Sequence, residues 1–309
     1  MKLSFVIPTR DTPELLLACL ASVAREAPGA QVIVVDDGGS DQIERRAREC
    51  WSKVVTLRNE IGRGFSAAAN AGMAVADGEV LVCLNSDTEL ESGSVDALLR
   101  ALAERPDLGV AGGRLLYPDG RPQWSGGAEP TLLWLFALTS GLGRLRGALR
   151  RAGPDNQKPA IRHHDWVSGA ALAIRRTAWE MAGPFCERYR FYAQDLDLCR
   201  RAHDRGFAVA VVGGFRVLHH HGATVARSLP GAPGAPTGQR LDFLWADLAD
   251  WYAARRGPAA ARWARRAMLL GARLRLALTR NPARRSALIA GLSALDEQHA
   301  AQRSARVDG

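Results

Sequence analysis

The sequence predicts an α/β protein built on a mainly parallel central sheet, with a helical extension toward its C-terminal end. Two observations carry this expectation. Through the first half of the chain, short runs rich in Val and Ile alternate with longer stretches of helical spacing. Strands that are apolar on both faces belong to parallel sheets covered by helices on each side. Beyond a stretch rich in Pro, Gly and Ala at 229–238, the pattern turns helical and strongly basic.

The elements follow in order. Residues 3–7, 31–35, 54–57 and 80–84 are the strand-like runs, and Leu15, Leu16, Cys19, Leu20 and Val23 between the first two share one helical face. From Gly109 the rhythm changes. Residues 110–116 read as a strand pair entering a turn at Tyr117-Pro118-Asp119-Gly120, and a loop-rich region with many Gly, Pro and Arg runs to about Asp165. Residues 166–174 are again strand-like, 195–206 have helical composition ending at a glycine, and 208–212 and 215–218 are extended. Three helical segments close the chain, at about 240–256, 258–280 and 283–303. The expected organisation is an α/β domain over 1–228, a Pro/Gly/Ala-rich linker over 229–238 and a basic helical segment over 239–309.

With 309 residues of which 47% are hydrophobic, the chain is long and apolar enough to bury a sizeable core. Its net charge of +9 suits acidic partners such as phosphates, nucleotides or an anionic membrane surface. From Pro258 onward there are ten Arg against Asp296, Glu297 and Asp308, so much of the excess sits at one end. Five scattered cysteines with no C-x-x-C pair read as reduced thiols, and no signal peptide or membrane-length apolar run is apparent, so a cytoplasmic location is expected. No nucleic-acid recognition motif is present.

Ligands of open parallel sheets bind beyond the carboxyl ends of the strands, and here every such end is polar. Asp36 and Asp37 close the second run; they suit either contacts to a nucleoside or an Asp-Gly-Gly-Ser turn. Asn85-Ser86-Asp87 delivers a carboxylate that suits Mg²⁺ or Mn²⁺, or else a helix cap. Asn59, then Gly62-Arg63-Gly64, opens a small-residue helix where backbone N–H groups can meet a phosphate, or where small side chains simply permit close packing. Asp195 and Asp197 point about 200° apart on a helix, so they cannot share a role; Asp195 suits a base or an N-cap, and Asp197 can pair with Arg200 or Arg201. Among His219, His220 and His221, the first and last share a strand face, and a histidine there can complete a metal site or simply end an exposed strand.

Taken in order, VIPTRD, VVDDGGSD, NEIGRGFSAAANAG, LNSD, WVSGAALAIRR, GPFCERYRFYAQDLDLC and VLHHHGAT resemble the family 2 glycosyltransferases of the GT-A fold, from about residue 3 to 224. Within that family the chain is similar to bacterial rhamnosyltransferase-type enzymes of cell-surface polysaccharide synthesis, a likeness to which the stretch 112–120 also belongs. The resemblance implies inverting transfer from a nucleotide-sugar donor to a saccharide or lipid-linked acceptor, with Mg²⁺ or Mn²⁺. Asp36 would contact the donor's base with Thr9 beside it; Asn59, Gly62 and Ser86 would border the donor. Asp87, assisted by His219, would hold the metal, and Asp195 would be the catalytic base. A deoxythymidine-diphosphate rhamnose donor follows from the subset likeness, with uridine and guanosine donors left open. Gln194 stands where the family usually has an acidic residue, Phe185-Cys186-Glu187 replaces Phe-Asp-Glu, and Arg10-Asp11 replaces Tyr-Asn. Gln194 keeps a second reading alive, a donor-binding relative without activity. The basic helices over 258–303 suit either peripheral attachment to the inner face of a membrane or packing within the chain or a homo-oligomer.

Overall fold

The computed structural model describes residues 1–39, 42–143, 161–189, 191–220 and 240–304, with side chains placed up to residue 296. The linker expected at 229–238, His221 and part of the loop region before Asp165 lie outside these residues.

The elements run β1 (Leu3–Thr9), α1 (Pro13–Glu26), β2 (Gln31–Asp37), α2 (Gln42–Cys50), β3 (Val55–Asn59), α3 (Phe65–Val75), β4 (Val80–Leu84), β5 (Thr88–Leu90), α4 (Ser94–Glu104) and β6 (Leu108–Leu116). They continue with β7 (Gly126–Gly127), α5 (Leu132–Ser140), β8 (Ile161–His163), β9 (Trp166–Val167), β10 (Ala171–Arg175), α6 (Arg176–Ala182), α7 (Gln194–Asp204), β11 (Ala208–His219), α8 (Leu241–Leu278) and α9 (Pro282–Ser304). Contacts divide the chain into two compact units. One is drawn from Met1–Glu129, Lys158–Arg188 and Gln194–Ser228, the other from Pro130–Gln157, Tyr189–Ala193 and Leu229–Gly309.

The first unit holds a sheet of order β3-β2-β1-β4-β10-β6-β11-β5, with β8 pairing β11. β3, β2, β1 and β4 are parallel, β10 is inserted antiparallel, and β6 and β11 run with the first four. The mainly parallel sheet is therefore as the sequence suggests, and the carboxyl ends of six strands share one edge with the start of β10. Alternate residues of β1 feed opposite cores: Phe5 and Ile7 pack with Leu16, Leu20 and Ile43 on one face, and Val6 packs with Ile33, Val35 and Met73 on the other. Two buried faces explain why these strands read as continuous apolar runs.

The small residues of α3 serve packing. A Cβ on Gly72 would overlap Val6 Cγ1 and come within 3.0 Å of Val35 Cγ2. Gly72→Ala is expected to destabilise the fold by about 1–3 kcal/mol through overpacking, seen as a lower urea midpoint; an unchanged midpoint would show that α3 can lift off the sheet without cost.

Several expectations need correction. Residues 108–116 form one strand, not a pair, although the turn is real: Gly120 N–H donates to Tyr117 O at 2.8 Å, and the return is tied back by a bridge between Leu116 and Pro122 and by Gln123 N–H donating to Leu115 O at 2.8 Å. The two extended runs 208–212 and 215–218 are one strand, β11, interrupted by an irregularity between Val212 and Arg216. The region expected to be loop before Asp165 contains α5, capped by Thr131 Oγ1, which accepts from Trp134 N–H.

In the second unit α8 packs against α5 and α9. Gly271 makes the approach to α5 possible, since a Cβ there would meet Thr139 Oγ1 and Phe136 O. α8 bends at Gly257 (φ 79°) before Pro258, which ends one helix and starts the next. The three expected helical segments correspond to the two arms of α8 and to α9.

Candidate active site

The site assembles at the carboxyl edge of the first unit's sheet. Thr9 is the last residue of β1 and is buried; its hydroxyl lies 3.3 Å from that of Thr12, which lies 3.1 Å from Ser86 Oγ. This run of hydroxyls ties the end of β1 to the turn after β4.

At the end of β2 the two aspartates diverge, because consecutive strand residues face opposite ways. Asp37 is committed to the protein: its Oδ1 accepts from Asn59 Nδ2 (2.8 Å) and Arg63 N (2.9 Å), and its Oδ2 from Gly64 N (2.8 Å). The glycine-rich turn before α3 therefore directs two of its N–H groups at a protein carboxylate, where the sequence suggested a phosphate cradle. The Arg63 guanidinium extends to Glu187 at 3.0 Å. Gly62 is pressed against this corner, a Cβ there falling 2.5 Å from Arg10 Nη1 and 2.9 Å from Asp37 O. Asp36 Oδ1 accepts from Gly39 N–H (2.8 Å), the expected Asx-type turn, and its Oδ2 lies 3.8 Å from Arg58 Nε. Burial pushes the Asp36 carboxyl above its ordinary value, against the pull of Gly39 and Arg58.

Asp87 leads into strand β5, so its alternative reading as a helix cap does not hold. β5 pairs antiparallel with β11, placing His219 opposite Thr88, and that register brings His219 Nε2 to 3.4 Å from Asp87 Oδ1. Both side chains are buried. Gln123, in the return after β6, sets the imidazole. Its Nε2 donates to Leu116 O (3.2 Å) and His219 O (2.6 Å), leaving its Oε1 for His219 Nδ1 at 2.9 Å. An acceptor at Nδ1 suits the tautomer with its proton there, and the ring turns Nε2 toward the Asp87 carboxylate. A hard oxygen and an imidazole nitrogen facing each other make a donor set that a divalent cation can share. His220 turns away and bonds Glu89 Oε1 at 2.8 Å. Among the described residues no group of three or more His, Cys, Asp or Glu gathers as a complete metal cage, in keeping with a cation that takes the rest of its shell from a ligand and water.

Asp195 lies in the first turn of α7, half-buried. Its Oδ2 accepts from Gly169 N–H (2.9 Å), in the turn between β9 and β10, and its Oδ1 from Leu196 N–H (2.8 Å). It is thus anchored both to the turn before β10 and to the first turn of its own helix. Burial raises its carboxyl above the ordinary aspartate value, and the N–H groups of Gly169 and Leu196 offset that only in part. Asp197 faces elsewhere and pairs with Arg201 at 2.8 Å, as the 200° separation requires. Gln194 is buried at the start of α7.

Sequence reasoning did not single out the segment 123–127, which links the two ends of the site. Gln123 holds His219, Ser125 O accepts from Ser168 N–H (2.9 Å) beside Gly169, and β7 pairs with β9. Trp124, exposed, stands edge-to-face on Trp166 at 4.9 Å between ring centroids. The signal was present as two tryptophans and a Ser-Gly-Gly run, but only the fold brings 123–127 against 166–169. Among the described residues, the two non-glycine residues with positive φ, Asp11 (51°) and Ala193 (64°), lie two positions from the candidate site residues Thr9 and Asp195. Such backbone is uncommon and clusters where function fixes geometry.

A family model described as glycosyl transferase family 2 matches residues 4–163. Over 233 residues the chain is 30% identical to an N-acetylglucosaminyl-diphospho-decaprenol L-rhamnosyltransferase of Mycobacterium tuberculosis, covering 69% of this chain and 73% of that protein. Among solved structures, GalNAc-T7 with UDP, GalNAc and Mn²⁺ superposes with a TM-score of 0.57 at 18% identity, over 82% of this chain and 51%, about half, of that one. The mannosyltransferase PcManGT from Pyrobaculum calidifontis, in complex with GDP-Man and Mn²⁺, gives 0.56 at 16% identity, over 95% of this chain and 80% of that one. At such identities the likeness establishes the fold, which is GT-A.

Proposed function

This chain belongs to glycosyl transferase family 2, and from that premise we propose that it is an inverting, metal-dependent enzyme moving a sugar from a nucleotide-diphosphate donor to an acceptor hydroxyl. The observation that carries the proposal is the pairing of Asp87 with His219 on the sheet edge to which Gly169 ties Asp195. One carboxylate is set beside a nitrogen donor, and the other is held separately with its proton affinity raised.

Each residue then has a task. Asp36 and Thr9 receive the nucleoside, since the end of β2 offers one carboxylate that the glycine-rich turn has not taken up. Asn59, Gly62 and Ser86 shape the donor's surroundings through Asp37, Arg10 and Thr12 respectively. Asp87 and His219 would hold Mg²⁺ or Mn²⁺, which supplies Lewis-acid stabilisation for a departing diphosphate. Gln123 fixes the tautomer that leaves His219 Nε2 able to donate its lone pair. Asp195 accepts the acceptor's hydroxyl proton at a carboxylate oxygen as the acceptor oxygen attacks the anomeric carbon from the face opposite the leaving group. The bond to the acceptor forms as the bond to the diphosphate breaks, and configuration inverts. No second carboxylic acid is required, because a diphosphate leaves as an anion, whereas the leaving oxygen in glycoside hydrolysis must be protonated to depart as an alcohol.

A lipid-linked acceptor and a rhamnosyl donor are supported by the Mycobacterium tuberculosis relative, whose name carries both. A cytoplasmic location is supported by five free thiols, of which Cys19 and Cys83 are buried and pushed up to about 12. Among the described residues no helix is long and apolar enough to cross a membrane.

The test is a thermal-shift screen of the purified chain against uridine, guanosine and deoxythymidine diphosphate sugars, each with Mn²⁺ and with EDTA, followed by transfer assays with the donor that binds. Stabilisation by one nucleotide class that requires the metal is expected. A chain that no donor stabilises is not this enzyme. A chain that binds its donor but transfers and hydrolyses nothing is the inactive relative to which Gln194 points.

A further inference from the structure

The second arm of α8, from Pro258 to Leu278, presents two apolar faces where a helix packed in a globular unit needs one. Ala264, Met268 and Ala272 are buried, and Gly271 lies against α5. On the other side Trp263, Leu270, Leu274 and Leu278 are 59%, 64%, 42% and 77% exposed. Their spacing of seven, four and four residues places them in a single stripe. Arg262, Arg266 and Arg273 border the stripe and are exposed as well, with the Arg266 guanidinium 5.0 Å from the centre of the Trp263 ring. Between Pro258 and Leu295 there are eight arginines and no aspartate or glutamate.

We propose that this face of α8 is a docking surface for an anionic lipid bilayer, lying in the plane of the headgroups. The charge and the apolar stripe must be covered by the same partner, and that requirement selects among candidates. A second copy of the chain in a two-fold contact would oppose arginine with arginine, with no carboxylate within 258–295 to intervene. A nucleic acid would answer the charge and leave the tryptophan and leucines in water. An anionic bilayer answers both: Leu270, Leu274 and Leu278 enter the headgroup–acyl boundary, Trp263 takes the interfacial position suited to an amphipathic ring, and the arginine stems reach up to lipid phosphates. From Trp263 to Leu278 the helix is roughly 22 Å long at 1.5 Å per residue, long enough to lie along a surface. The inference is independent of the donor site, so either can fail alone.

The test uses the full purified chain and vesicles of phosphatidylcholine alone or mixed with phosphatidylglycerol. At low salt the chain is expected to sediment with the mixed vesicles and not with phosphatidylcholine alone, with a blue shift in tryptophan emission that Trp263→Ser abolishes. Replacing Arg262, Arg266 and Arg273 together by Gln is expected to weaken partitioning on the order of 100-fold, as loss of three basic side chains at an anionic surface implies. Leu270→Ser with Leu274→Ser and Leu278→Ser is expected to abolish it. All these positions are exposed, so circular dichroism should show unchanged helix content. Three results overturn the proposal: no sedimentation with the anionic vesicles, leucine variants that bind as well as the wild type, or leucine variants whose only change is dissociation of a dimer on size exclusion.

Discussion

Asp195→Asn is expected to lower turnover by about 10²–10⁴-fold, the usual contribution of a positioned general base, while donor-induced thermal stabilisation stays at the wild-type level. The separation follows from geometry. Asp195 is held by Gly169 and Leu196 in the turn before β10 and the first turn of α7, whereas the nucleoside is assigned to the ends of β1 and β2. Asparagine keeps the size of the side chain and one oxygen that can still accept from Gly169. The pH profile supplies a second readout. Burial makes the folded protein hold this proton more tightly than the unfolded chain does, so acidification protonates the base at a pH above the ordinary aspartate range. The acidic limb of the wild-type rate profile should lie there, and the residual activity of the asparagine variant should lack it. The linkage has the matching sign: the native state binds the extra proton, so stability attributable to this group falls as pH rises through the interval between its unfolded and folded values. Full activity in Asp195→Asn would remove the residue from the mechanism.

The parts of this site that could be read in the sequence are those set by strand ends. Thr9, Asp36, Asn59 and Asp87 each follow a run of apolar residues, and a parallel sheet brings such ends to one edge whatever the loops do. The functions of neighbouring residues were not legible in the same way. Asp36 and Asp37 are adjacent and chemically identical, and only the course of the turn at 62–64 shows that Asp37 is consumed by backbone N–H groups. Gln123 lies 96 residues from His219, and nothing local marks it as the residue that selects the imidazole tautomer. The helix α5 was read as loop because its nine residues, LLWLFALTS, are apolar on every side. A helix of that kind lacks the stripe that periodicity detects, and it sits between glycines and prolines. The basic C-terminal segments were legible as helices. That the second arm of α8 exposes one apolar stripe while burying another required the packing of Gly271 against α5.

Asp87→Ala is expected to abolish transfer and, with it, the metal-dependent part of donor binding, leaving only the weak stabilisation that the nucleoside contributes on its own. Asp87 is the carboxylate 3.4 Å from His219 Nε2, and the described residues contain no cluster of three or more candidate ligands to take its place. A single carboxylate and a single imidazole cannot retain a divalent ion without the donor's phosphates, so metal and donor should bind cooperatively in the wild type and lose that coupling in the variant. The nitrogen ligand also sets a preference. Imidazole binds Mn²⁺ better than it binds Mg²⁺, which favours oxygen ligands and keeps its water, so Mn²⁺ should restore an EDTA-treated enzyme at lower concentration. Gln123→Leu should reduce that preference, because losing the acceptor at Nδ1 frees the ring to turn or to carry its proton on Nε2. Isothermal titration of donor with Mn²⁺, Mg²⁺ or EDTA into the wild type, Asp87→Ala and Gln123→Leu measures all of this. Wild-type metal coupling in Asp87→Ala would place the cation elsewhere, and equal use of the two metals by wild type and Gln123→Leu would leave His219 outside its shell.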